Sequence, residues 1–214
     1  MTLLIFSVDP AHGVSILTDS LVTNEAGSPL DFTGKTYWYP HLETAMVTTG
    51  RFEFSKRWNH ELHDNVTASS VVGVDSVAPD LLRDLHARLE NSDQTSTVYH
   101  FGLTAERQVV AYAYRSIASF ESERLHPGRP FVAVKPEPEP GTSLALADLD
   151  DMLRLAVHVR QHQDSSPPGE KPVYIGGDLH LTQLTAQGDR LIAMSTRLGQ
   201  FEDRDEQWLQ ILDR

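Results

Sequence analysis

Residues 1–20 read MTLLIFSVDPAHGVSILTDS, and residues 33–51 read TGKTYWYPHLETAMVTTGR. LLIFSV (3–8) is almost unbroken apolar sequence, the pattern of a strand covered on both faces. Asp9, Pro10 and Gly13 supply turn chemistry, and VSILTDS (14–20) reads as the returning strand. NEAGSPLD (24–31) reads as a loop. KTYWYP and ETAMVTTG then read as two short strands separated at Pro40, so the first fifty residues suggest a four-strand meander.

Beyond residue 51 the period changes. Phe52, Phe54, Trp58 and Leu62 fit a helix of about three turns. A second helix is expected from about Pro79 to Asn91, with Leu81, Leu82, Leu85 and Leu89 in one stripe and Pro79 suited to a first turn. Residues 96–122 return to strands, with a turn at Thr104–Arg107. HPGRP (126–130) and KPEPEPG (135–141) are loops flanking a short strand, FVAVK. A third helix is expected from about Leu144 to His162, with Leu146, Leu149, Leu153, Ala156 and Val157 inward, ended by the serine- and proline-rich SSPPGEKP (165–172). VYIGGDLHLTQL and RLIAMS form a closing hairpin around AQGD, and DRDEQWLQILD a terminal helix.

This order implies an α+β fold: two facing sheets with helices outside, a four-layer α-β-β-α sandwich in one domain over residues 1–214. The formal net charge of −12 argues against nucleic acid or an anionic membrane as partner. The chain has no cysteine, which removes disulfides, thiolate metal sites and cysteine nucleophiles. No apolar run approaches the ~18 residues of a membrane span, and LLIF is too short for a signal sequence. The expectation is a cytoplasmic protein.

The chemistry concentrates at the start of the chain. With Met1 removed, Thr2 would carry a hydroxyl and a free α-amine on one residue. An α-amine titrates near pH ~8, so it can act as base for its own hydroxyl. Asp19 ends the second strand, beside the start of the first, and Lys35 opens the third. Their ion pair would hold an ammonium next to Thr2 and lower the pKa of its amine. Thr49 and Gly50 end the fourth strand, where backbone N–H groups would receive an oxyanion.

Thr2, Asp19-Ser20, Lys35 and Thr49-Gly50 together resemble the proteasome β-subunit family of N-terminal-nucleophile hydrolases, including the bacterial proteasome-related ring proteases. The resemblance is specific over residues 2–51 and topological beyond them. It implies the four-layer fold, assembly into a homo-oligomer and hydrolysis of a peptide or small amide substrate through an acyl-enzyme. In that scheme Thr2 is nucleophile and base, Lys35 the electrostatic activator, Asp19 its partner, and the Thr49 or Gly50 backbone the oxyanion hole. No metal or organic cofactor is called for, and no unfoldase partner is named by the sequence.

The sequence departs from the family pattern in three places. Gly141 and Ser143 stand in KPEPEPGTS where a Gly-Ser-Gly element is usual. One helix occupies the space of two before the closing strands. Asp164, Ser165 and Ser166 lack the glycine-rich context of the family's second Asp…Ser-Gly element. These departures keep a second reading open, a catalytically silent assembly or binding subunit.

Other features have plainer readings. His158 and His162 have a metal-compatible i, i+4 spacing, but HVRQH lacks a zincin glutamate and reads as a solvated helix face. His12, His100 and His126 show no evident partner. The glycines of GGDLHL (176–181) read as a bulge within a strand rather than a phosphate loop. Asn65-Val66-Thr67 is a glycosylation sequon without meaning in a cytoplasmic chain.

Overall fold

The computed structural model describes residues 3–24, 26–89, 95–126, 128–138, 142, 146, 148–164, 174–188 and 190–213. Among these the fold is mixed α/β, with three antiparallel sheets and five α-helices. The first sheet contains β1 (Leu4–Asp9), β2 (Gly13–Asp19), β10 (Phe131–Lys135), β11 (Asp178–Gln187) and β12 (Arg190–Gln200), in the order β10-β1-β2-β11-β12. A small ribbon pairs β3 (Leu21–Thr23) with β4 (Pro29–Phe32). The other large sheet runs β5-β6-β7-β8-β9, from Thr36–Tyr39, Thr44–Thr49, Thr97–Leu103, Val109–Arg115 and Ser122–Arg124.

Side-chain alternation along the strands sorts the apolar residues into three cores. Leu4, Phe6 and Val8 of β1 and Val14 and Ile16 of β2 meet Ala45, Val47, Tyr99, Phe101 and Ala111 of the other large sheet. Phe6 sits at the centre, 5.3 Å from the Tyr99 ring and 5.0 Å from the Phe101 ring. The residues of opposite parity, Leu3 and Ile5 with Leu17, pack on Met152, Leu155, Ala156 and Val159 of α4 (Leu149–Asp164). The third core lies between the β5–β8 strands and α1 (Phe52–Asp64), α2 (Val71–Asp75) and α3 (Ala78–Ala87). There Phe54, Trp58, Leu62, Leu82 and Leu85 meet Met46, Val98, Val110 and Tyr114. Burying each large apolar side chain contributes about 1.5–3 kcal/mol. The last helix, α5 (Arg204–Leu212), packs along β4.

The structure corrects several expectations. The first fifty residues are two hairpins in different sheets, not one meander, because the ribbon carries the chain from β2 to β5. The last three residues of the expected loop 24–31 belong to that ribbon. Asn24 turns the chain by accepting the N–H groups of Ala26 and Ser28 on its Oδ1, after which Pro29 opens β4. The Ser/Val-rich stretch contains α2, whose five residues are too few to show a period; Ser70 caps it by accepting the Gly73 N–H. Helix α3 ends at Ala87, short of Asn91, which lies outside the described residues. In α4, Met152 and Val159 hold inner positions, and the expected inward Val157 faces solvent.

Candidate functional site

Strand pairing brings three distant parts of the chain to one end of the sheets. The β1–β2 register sets Leu4 opposite Thr18, so the start of the chain lies beside the end of β2. The β2–β11 register sets Asp19 opposite Leu179, so the loop entering β11 arrives at the same place. In the other large sheet β5 and β6 are antiparallel, so Lys35, just ahead of β5, lies at the end where β6 reaches Thr49.

Asp19 is fully buried and is the hub. Its Oδ1 accepts the Lys35 ammonium at 2.7 Å and the Leu3 N–H at 2.8 Å. Its Oδ2 accepts the Gly176 N–H at 3.2 Å. A buried carboxylate needs this saturation, because leaving water without compensating donors costs several kcal/mol. Lys35 is 9% exposed. Burial pulls its ammonium below the usual lysine value, and the adjacent Asp19 charge and hydrogen bond act against that pull. Lys35 Nζ and the Leu3 N–H thus meet on the same carboxylate oxygen. The residue bonded to that nitrogen, Thr2, lies outside the described residues.

Thr49 and Gly50 follow at the end of β6. Thr49 pairs with Thr97 of β7 and is half-buried. Gly50 adopts φ +104°, and a Cβ there would come within 2.2 Å of the Thr95 carbonyl oxygen. Only glycine lets the chain turn at this point without displacing the neighbouring strand's backbone.

The loop before β11 completes the cluster, and sequence reasoning missed it. Gly176 and Gly177 are not a bulge inside a strand; they precede β11, and the strand's register shift falls between Leu179 and His180. Gly177 has φ +74°, and a Cβ on it would meet Ser20 Oγ at 2.4 Å and the Phe32 ring at 2.6 Å. A Cβ on Gly176 would meet the Gln207 amide at 2.5 Å. Ser20, 2% exposed, accepts the Asp178 N–H on its Oγ at 2.8 Å, and its carbonyl accepts the Thr33 N–H. The adjacent glycines and the Asp19-Ser20 pair were the available signals, but nothing local joins them.

The remaining candidates fall elsewhere. Gly141, Ser143, Ser165 and Ser166 lie outside the described residues, as does the side chain of Asp164. His158 is exposed on α4, and among the described residues no group of three His, Cys, Asp or Glu is placed to hold a metal ion. Three histidines expected to lack partners have them. His12 Nδ1 lies 2.7 Å from Asp9 Oδ2, and His126 packs against the Phe131 ring. His100 is fully buried and accepts the Trp58 Nε1–H on its Nε2 at 3.0 Å.

No family model matches the chain, and no curated protein matches it. Among solved structures the chain is similar to Anbu (ancestral beta-subunit) from Yersinia bercovieri, with 10% identity, 98% of this chain and 92% of that one covered, and a TM-score of 0.62. It is similar to the Anbu complex of Pseudomonas aeruginosa, described as a helical assembly, at 14% identity, 100% and 92% coverage, and TM-score 0.62. An Anbu mutant from Hyphomicrobium sp. strain MC1 matches at 9% identity, 99% and 93% coverage, and TM-score 0.64. These findings correct the family assignment drawn from residues 2–51. Membership in the proteasome β-subunit family does not hold, since four motif positions do not amount to a sequence match, and the similarity at 9–14% identity is one of fold, shared with Anbu proteins. No helix among the described residues is long and apolar enough to cross a membrane.

Proposed function

We propose that the chain is an N-terminal-threonine hydrolase acting on a peptide or small amide substrate, in one α-β-β-α domain spanning residues 1–214. The observation that carries this reading is the buried Asp19–Lys35 pair, whose carboxylate also holds the Leu3 N–H at the first described residue of the chain. Removal of Met1 gives Thr2 a free amine. The Thr2 hydroxyl attacks the substrate carbonyl carbon while the amine takes the hydroxyl proton and passes it to the leaving amine. The Lys35 ammonium favours the neutral amine by charge repulsion, and Asp19 fixes the ammonium. A backbone N–H at Thr49 or Gly50 stabilises the oxyanion. Water then attacks the acyl ester; the amine takes one of its protons and hands it to the departing Thr2 oxygen, which restores the hydroxyl and releases the acid. The three apolar cores, one between the large sheets and two between a sheet and helices, support the four-layer reading. Self-association into a homo-oligomer is part of the proposal, supported by the fold shared with an Anbu protein described as a helical assembly.

The test begins with the intact mass, which reports whether Met1 has been removed. A β-lactone electrophile is then expected to add once, on Thr2, and Thr2→Ala to abolish the adduct. Protein with a clean Thr2 terminus that takes up no label would overturn the hydrolase reading.

A further inference from the structure

Asp19 takes one of its hydrogen bonds from a residue 157 positions away, and that residue sits in a loop held from a third place, the C-terminal helix. Gln207 of α5 is 7% exposed, and both ends of its amide are engaged. Its Oε1 accepts the Gly177 N–H at 3.0 Å. Its Nε2 donates to Asp203 Oδ2 at 2.7 Å, and the same oxygen accepts the Arg160 guanidinium of α4 at 2.7 Å. The amide therefore has a fixed orientation: Asp203 demands the donor end, which leaves the oxygen for the loop.

The loop has no slack around this amide. Gly176 approaches it so closely that a Cβ would overlap the amide nitrogen. Gly177 holds a left-handed conformation against Ser20 and Phe32. The next residue, Asp178, has its Oδ1 2.8 Å from an Arg197 guanidinium nitrogen and 3.4 Å from Arg204 Nε, within ion-pair distance of both. A buried polar contact of this kind is costly to leave half-made, because the Gly177 N–H would otherwise lose its partner away from water.

We propose that Gln207 is a positioning residue for the Asp19 carboxylate: its amide clamps Gly177, which holds the Gly176 N–H on Asp19, which in turn orients Lys35 and the Leu3 N–H. The C-terminal helix thus sets the geometry at the N-terminal end of the chain. The placement of Asp19 follows from contacts already given; only its consequence for Thr2 rests on the hydrolase reading.

The experiment compares wild type, Gln207→Leu and Gln207→Glu, the last keeping an acceptor for Gly177 while removing the donor to Asp203. Hydrogen-exchange protection is measured amide by amide by NMR, and Thr2 labelling by the β-lactone is resolved into kinact and KI. In Gln207→Leu, protection of Gly177, Gly176 and Leu3 is expected to fall by at least tenfold, with the β6–β8 amides unchanged. Gln207→Glu is expected to retain part of that protection. Labelling is expected to slow through kinact, about tenfold, with KI within twofold. Loss of protection confined to Gly177, with Gly176 and Leu3 unchanged in both variants, overturns the proposal. If protection falls as expected but wild type is not labelled, the positioning of Asp19 stands and the hydrolase reading fails.

Discussion

At two places in this chain, buried ionisable side chains are handled in opposite ways. At the sheet ends, Lys35 and Asp19 are buried as a pair, with the remaining carboxylate capacity filled by backbone N–H groups. In the core under α1, His100 is buried as a lone ring, stacked on Trp58 with ring centres 5.8 Å apart. Burial drives its pKa down to about 3, so it stays neutral. Trp58 donates to Nε2, so the neutral ring carries its proton on Nδ1. Burial favours the neutral form of a group, and a neighbouring opposite charge acts against it, as Asp19 does for Lys35; His100 has no such neighbour and gives up its proton. A paired charge is weak evidence for stability, since desolvation offsets much of its attraction. The lone imidazole, by contrast, contributes through packing on Trp58 and Tyr114.

The strongest way to break this comparison is to remove one member of the pair. Lys35→Met leaves Asp19 buried with two N–H donors and no cation. Such a change costs about 3–5 kcal/mol. Urea unfolding at neutral pH is expected to show that loss with an unchanged slope, and Thr2 labelling is expected to disappear. A loss below about 1 kcal/mol would place the pair with solvated ion pairs instead.

The second test uses acid. His100 has its folded pKa depressed, so the unfolded chain binds more protons between the ordinary histidine value of 6.5 and about 3. Its contribution is intact above pH 6.5 and is lost as pH falls toward 3, at about 1.4 kcal/mol per pH unit. Carboxylates titrate in the same range, so the readout is a difference. His100→Gln keeps an acceptor for Trp58 without the titration. Its stability is expected to decline less steeply than wild type between pH 6.5 and 4.5, the gap closing by about 2 kcal/mol. Parallel pH profiles would show that the ring is protonated in the folded protein.

The same contrast explains what could be read from the sequence. LLIFSV and VSILTDS announced β1 and β2 because strands covered on both faces carry near-continuous apolar runs. Asp19 and Lys35 were legible as candidates because each stands at a strand boundary, and boundaries at one end of a sheet meet. Gly176 and Gln207 were not, because their contacts depend on the β2–β11 register and on where α5 docks, and no local pattern encodes either. His100 alternates correctly within β7, yet its partner lies 42 residues away on α1. The family assignment failed for a related reason: four well-spaced residues reflect a strand layout that Anbu folds share, and a shared layout does not specify a lineage.

The smallest effect sharpens the comparison from the solvent side. Glu53 and Arg57 form an i, i+4 ion pair on α1, Nε to Oε1 2.9 Å, with both side chains nearly half exposed. The geometry is as direct as that of Asp19 and Lys35, but water and salt screen it, and two long side chains must be ordered to make it. A double-mutant cycle with Glu53→Ala and Arg57→Ala is expected to give a coupling of about 0.3–0.5 kcal/mol, falling toward zero in 1 M salt. The Lys35–Asp19 pair, 10% and 0% exposed at its side chains, is expected to keep its coupling in the same salt. Salt sensitivity therefore separates the two pairs where distance does not, since burial, rather than how closely the ions approach, decides what an ion pair is worth.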